Sequence, residues 1–151
     1  MKFSKTNLWH NHADLFVVTT NGYITENHRL VMGRGAALEA KTLYPSLPNE
    51  AASMIEIDSL RNSNGVYIYG FVLAGFYKDR TIGLLQVKYH FRERASLSLI
   101  GYSLTVMTKA LETFTGKVSL NFPGIGAGGL PRESVLPMIE ELDNRFTVHE
   151  K

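Results

Sequence analysis

Short apolar runs rich in β-branched and aromatic residues alternate along this chain with segments of helical periodicity, and that alternation constrains the fold most. "LFVVTT" (Leu15–Thr20), Val66–Val72, Thr81–Val87, Val118–Phe122 and Phe146–His149 read as strands. Lys2–Thr6 is short enough for an edge strand. Arg34–Leu43 reads as a helix that stops near Pro45. Asn49–Ile57 can form another, "RNSNG" (Arg61–Gly65) is a turn, and "LAGFYKDR" joins two strands. The strongest helical signal follows Ser96, a candidate N-cap. Leu97, Ile100, Leu104, Met107, Leu111 and Phe114 recur at alternating steps of three and four, with Gly116 as the natural stop. Arg132–Leu142, opened by Pro131, is the last helix. Such alternation predicts an α/β layered domain with a parallel or mixed sheet. There is no repeat, linker or low-complexity tract, so one domain over residues 1–151 is expected.

A chain of 151 residues can bury roughly 70% of its unfolded surface, so it needs no staples. The absence of cysteine excludes disulfides and thiolate metal sites. "MKFSKTNLWHNH" has no apolar signal core and no later run is long enough to span a bilayer, which predicts a cytoplasmic protein without a membrane partner; a monomer is expected, though nothing in these features argues for it. A net charge of +2 is too small to argue for nucleic acid and is compatible with a small anionic ligand.

In α/β sheets ligands sit outside the carboxyl ends of the strands. Two glycine-containing segments fall there and lead into helices: Asn21–Gly35 and Pro123–Leu130. "GIGAGG" (Gly124–Gly129) has four glycines in six residues. A diphosphate cradle explains them, because backbone without Cβ atoms can approach an anion and aim N–H groups at it. "MGRG" (Met32–Gly35) can act from the opposite side. Sharp strand-to-helix turns explain the same glycines, and neither segment has the P-loop or dinucleotide pattern. Asn21 suits a pair of ribose hydroxyls or an Asx-type turn with Gly22. His10, His12 and His28 lack a ligand spacing and an accompanying carboxylate cluster, so no metal is expected. Glu133, Glu140 and Glu141 fit a solvated helix face. In "LLQVKYHFRERASL" (Leu84–Leu97), Lys88 ends a strand. If the extended form continues, Lys88, His90 and Arg92 share one face.

Five stretches, taken in order, give the chain a family likeness. They are "KTNLW" (Lys5–Trp9), "ADLFVVTTNG" (Ala13–Gly22), "VMGRGAALEAKTLYPSLP" (Val31–Pro48), "VKYHFRERASLSLI" (Val87–Ile100) and "NFPGIGAGGLPRESVLPMIEEL" (Asn121–Leu142). Together they resemble the macrodomain family of ADP-ribose-binding modules. The resemblance implies a three-layer α/β/α fold with a mixed sheet and no cofactor. It implies a ligand cleft formed by Asn7, Leu8, Asn21, Met32, Gly33, Arg34, Gly35, Pro123, Gly124, Ile125, Gly126, Ala127, Gly128 and Gly129. Asn21 stands where the family's asparagine holds the distal ribose. Asn7 stands where many members carry an adenine-binding aspartate, and its amide oxygen can still accept from adenine N6. Trp9 can cover the adenine ring or serve the core.

The Lys88 segment resembles that of the DarG-like branch, the DNA ADP-ribosylglycohydrolases, in which a lysine acts at the anomeric carbon of the distal ribose. A related branch pairs such a lysine with an aspartate in the second loop; here Gly128 stands at that place, which favours the glycine-loop version. The resemblance thus implies Lys88 and Asn21 as catalytic residues, His90 and Arg92 as substrate contacts, and ADP-ribose or an ADP-ribosylated substrate, with DNA favoured, as partner; a DNA backbone at the open end of the cleft would meet Lys88, His90, Arg92 and Arg94. Binding without chemistry, and hydrolysis of ADP-ribose 1″-phosphate or an O-acyl-ADP-ribose, use the same cleft.

Overall fold

The computed structural model of the protein describes residues 1–150. Strands β1 (Lys2–Ser4), β2 (Leu15–Thr20), β3 (Phe71–Phe76), β4 (Thr81–Gln86), β5 (Val118–Asn121) and β6 (Phe146–His149) form one sheet in the order β1-β6-β5-β2-β4-β3. All neighbours are parallel except β3 and β4, so the sheet is mixed, as expected. Helices α1 (Gly35–Leu43) and α2 (Leu47–Asp58) cover one face, and α3 (Leu97–Ala110) and α4 (Arg132–Ile139) the other. The alternation of β2 explains both cores. Leu15 and Val17 pack with Ile100, Leu104 and Val135, whereas Phe16 and Val18 pack with Ala40 and Ile55. The arrangement is the expected three-layer α/β/α fold.

Two expectations move. The strand read over 66–72 begins instead at Phe71 and runs through the "LAGF" taken as a connection. Gly70 adopts φ 72°, a left-handed conformation that interrupts the apolar run. Val66 and Tyr67 make only isolated bridges, to Tyr23 and Arg61. The hairpin turn lies at 78–79, closed by the Tyr77 N–H on the Arg80 carbonyl. Helix α3 ends at Ala110 rather than near Gly116. Arg145 takes over there, donating to the carbonyls of both Leu111 and Phe114. Among the described residues no helix is long and apolar enough to cross a membrane.

The sheet topology places the site. Strands β6, β5, β2 and β4 are consecutive and parallel, so their carboxyl ends share one edge. Side by side there stand His149, Asn121, Thr20 and Gln86, and the chain leaving each enters one concavity.

Candidate functional site

That concavity is an open cleft of about 1410 Å³, lined from the β6 side by Glu150 and from the β4 side by Lys88. Asn7, Leu8, Asn21, Gly33, Arg34, Gly35 and 124–128 all line it, together with Lys88 and Arg92. Met32, Pro123, Gly129 and His90 do not line it. Met32 is in the core beneath α1, and Pro123 is buried where the chain leaves β5. Gly129 lies at the neck of its loop, and His90 packs against Tyr23 with centroids 4.7 Å apart and the rings tilted by 55°.

The second glycine loop is built to offer donors. Every carbonyl from Gly124 to Gly129 is engaged. Gly124, Ile125 and Gly126 accept from the N–H groups of Leu130, Gly128 and Gly129. Ala127, Gly128 and Gly129 accept from Lys88 Nζ, the Ala95 N–H and Arg94 Nη2. The N–H groups of Ile125, Gly126 and Ala127 have no such backbone partner. Left-handed φ angles at Gly124 (78°), Gly126 (63°) and Gly129 (76°) create this geometry. Gly126 lines the cleft, and a Cβ there would meet nothing within 4 Å.

The first loop meets it from the opposite wall. Helix α1 begins at Gly35 (φ 57°), and its N-cap, Arg34, makes no side-chain cap bond. The N–H groups of the first turn therefore lack intrahelical acceptors, and Gly35, Ala36 and Ala37 line the cleft. Neither Gly33 nor Gly35 would bring a Cβ within 4 Å of another group.

Asn21 is buried and fixed at both ends of its amide. Nδ2 donates to the Val31 carbonyl (2.9 Å) and Oδ1 accepts from the Tyr23 N–H (2.8 Å), the Asx-type turn read from the sequence. One hydrogen on Nδ2 and one lone pair on Oδ1 remain for a ligand. Gly22 is obligatory behind it, since a Cβ would lie 2.1 Å from the Tyr67 carbonyl oxygen. Asn7 caps the short turn Leu8–His10, its Oδ1 accepting from the Trp9 N–H at 2.9 Å.

Lys88 is half-buried, and its Nζ lies 3.2 Å from the Ala127 carbonyl oxygen. Burial, and then the positive charge of Arg34, hold its amine below the usual lysine range. The buried Gln86 amide fixes its backbone, donating to the carbonyls of Tyr67 and Lys88 while accepting from the N–H groups of Tyr69 and Gly70. The extended face expected for Lys88, His90 and Arg92 does not form. Strand β4 ends at Gln86, and the chain turns at 90–93, where the Glu93 N–H bonds the His90 carbonyl. That turn turns Phe91, Arg92, Glu93 and Arg94 toward the cleft. Arg94 is expected there as a contact to a DNA backbone, whereas Phe91 and Glu93 are absent from the residues read from the sequence, because only the turn at 90–93 brings them there.

Trp9 belongs to the core: it is buried and stacks on Phe16 at 5.7 Å, with the Arg80 guanidinium 5.4 Å from its ring. His28 faces Glu56 and Ser53. Among the described residues no three His, Cys, Asp or Glu side chains converge.

No family model matches the chain, and no curated protein matches it either. Solved structures do. The macrodomain of Thermus aquaticus DarG aligns over 99% of this chain and 97% of its own, with a TM-score of 0.70 and 21% identity. The macrodomain of Mycobacterium tuberculosis DarG aligns over the same shares, with a TM-score of 0.72 and 21% identity. Thermosipho africanus DarTG in complex with ADP-ribose matches 97% of this chain with a TM-score of 0.67 and 15% identity, over 40% of its own length. The mixed sheet, the helices on its two faces and the agreement over nearly every residue lead to one conclusion: this chain has the macrodomain fold.

Proposed function

We propose that the cleft binds ADP-ribose and that the protein removes ADP-ribose from a modified macromolecule, with nucleobase-linked ADP-ribose on DNA as the favoured substrate. One observation carries the binding: a loop with all six carbonyls engaged and the N–H groups of Ile125, Gly126 and Ala127 among those left over, facing a helix N-terminus. An anion complements two such walls, and a diphosphate offers oxygens to both. Asn7 and Leu8 at one end then meet the base. Asn21, fixed as described, positions the distal ribose.

The chemistry rests on Lys88. Its depressed pKa raises the fraction of neutral amine, the form that can attack carbon. The Nζ lone pair forms a bond to C1″ while the bond from C1″ to the leaving nucleobase or acyl group breaks. The leaving group departs with that electron pair and takes a proton. Ring opening gives an imine at C1″, and water then adds to that carbon, releases the amine and yields ADP-ribose. A DNA strand leaving the cleft here would meet Arg92 and Arg94, whose phosphate contacts are independent of sequence.

A second reading is binding without chemistry, favoured by the bond that holds Lys88 Nζ on the Ala127 carbonyl. Incubation with ADP-ribosylated DNA, ADP-ribosylated protein and ADP-ribose 1″-phosphate, followed by mass analysis, separates the readings. Release from DNA alone supports the favoured substrate, release from the 1″-phosphate supports a small-molecule hydrolase, and no release with retained ADP-ribose affinity leaves the reader. Borohydride reduction during turnover should trap a substrate-derived adduct on Lys88.

A further inference from the structure

The second glycine loop is held from outside by a single short segment. Lys88 Nζ, the Ala95 N–H and Arg94 Nη2 reach the successive carbonyls of Ala127, Gly128 and Gly129 at 3.2, 2.9 and 2.6 Å. The Gly129 carbonyl belongs to the peptide that closes the neck of the loop, because the N–H on its other side, from Leu130, bonds the Gly124 carbonyl at 2.9 Å. One side of that peptide is thus secured within the loop and the other by the Arg94 guanidinium. Gly129 admits this contact: its φ is 76°, and a Cβ would lie 3.2 Å from Arg94 Nε.

We infer that Arg94 is a positioning residue for the anion site, acting through the Gly129 carbonyl rather than on the ligand; this rests on the cleft being a diphosphate site. Glycine-rich backbone reorients at low steric cost. A loop that presents the N–H groups of Ile125, Gly126 and Ala127 together must have its neck fixed. Without Arg94 the Gly129 peptide keeps one of its two anchors. The loop then samples shapes in which the three donors no longer converge, and part of the binding energy is spent on ordering it again.

The test compares wild type, Arg94→Met and Arg94→Lys, each checked for an unchanged melting temperature within a few degrees. Calorimetry with ADP-ribose, adenosine and inorganic pyrophosphate is run at low and at high salt. In Arg94→Met the Kd for ADP-ribose and pyrophosphate should rise about 5- to 10-fold, the range of one net hydrogen bond. Adenosine affinity should stay within twofold. The ratio to wild type should persist at high salt, where a direct attraction between charges would be screened. Arg94→Lys, which can still donate to the Gly129 carbonyl, should recover most of the loss. Amide exchange at Leu130 should quicken in Arg94→Met without any ligand present. Three results overturn the inference: equal Kd values in wild type and Arg94→Met, an equal loss for adenosine, or a difference that vanishes at high salt. If wild type binds pyrophosphate but not ADP-ribose, the proposed function fails while the role of Arg94 is still decided by pyrophosphate. If it binds neither, both fall.

Discussion

Lys88 Nζ donates to the Ala127 carbonyl oxygen across 3.2 Å, joining the chain that leaves β4 to the loop that leaves β5. The reactive amine proposed for the distal ribose is therefore docked on the loop proposed for the diphosphate. Lys88→Ala should lower release of ADP-ribose by on the order of 10²-fold or more, while affinity for free ADP-ribose falls by about 5-fold or less, because the loop keeps its outside bonds at Gly128 and Gly129. Lys88→Arg should fail equally, because guanidinium stays protonated at any working pH. Wild-type turnover by Lys88→Ala, in a quenched time course, would refute the lysine route and point to a water activated at the diphosphate.

The pH dependence of that activity has a definite sign. The amine must be neutral to attack, and burial beside Arg34 lowers its pKa. Activity should therefore rise with pH and level off once the amine has lost its proton, at a lower pH than an ordinary lysine would require. Arg34→Gln removes the repelling charge, so the rise in kcat should shift to higher pH in a rate profile.

Open space beside a glycine is a prediction about ligands. A Cβ on Gly33 meets nothing within 4 Å, and that residue lines the cleft. Gly33→Val should leave the melting temperature nearly unchanged and weaken ADP-ribose about tenfold or more by filling ligand space. Gly126→Val should block binding as well, and in addition lose about 1–2 kcal/mol of stability, because its φ of 63° is left-handed. Unimpaired calorimetric binding in both would remove the diphosphate from these walls.

Asn21→Ala should act on stability and on function together. It deletes the acceptor of the Tyr23 N–H and the donor to the Val31 carbonyl in a buried site. A cost of about 1–3 kcal/mol is expected, or roughly 3–10 °C in Tm for a chain this size. ADP-ribose affinity and turnover should both fall as ribose positioning is lost. An unchanged thermal transition would contradict the anchoring.

His149 predicts how stability responds to acid. It is buried, its ring nitrogens face the Thr6 carbonyl and Ser119 Oγ, and burial lowers its pKa. The unfolded chain, with an ordinary imidazole near pH 6.5, then binds a proton that the folded chain resists. This contribution is intact above the unfolded pKa and is lost as pH falls toward the lower folded value. Denaturant midpoints measured from pH 7.5 to 5 should decline in wild type more steeply than in His149→Gln.

Local pattern carried much of the fold. The boundaries of β2 and β6 coincide with the sequence reading, and α1 differs by one residue, because apolar alternation and helix-stopping residues act within a few positions. β3 was displaced because a left-handed Gly70 is invisible in a run of apolar residues. The cleft was legible in its glycines and Asn21 through resemblance. Phe91 and the bond from Arg94 to the Gly129 carbonyl were not, since they depend on the 90–93 turn and on contact with a loop 35 positions away in sequence.

The cleft draws on residues from Asn7 to Glu150, and β1 pairs with β6 in the register Lys2 to Thr147. Closing such long loops comes late in folding and slowly. During synthesis the first strand must therefore wait for the last, and no nascent intermediate owns a finished cleft. Ligand can select only the closed sheet, so ADP-ribose added during refolding should raise the final yield without hastening the early phases.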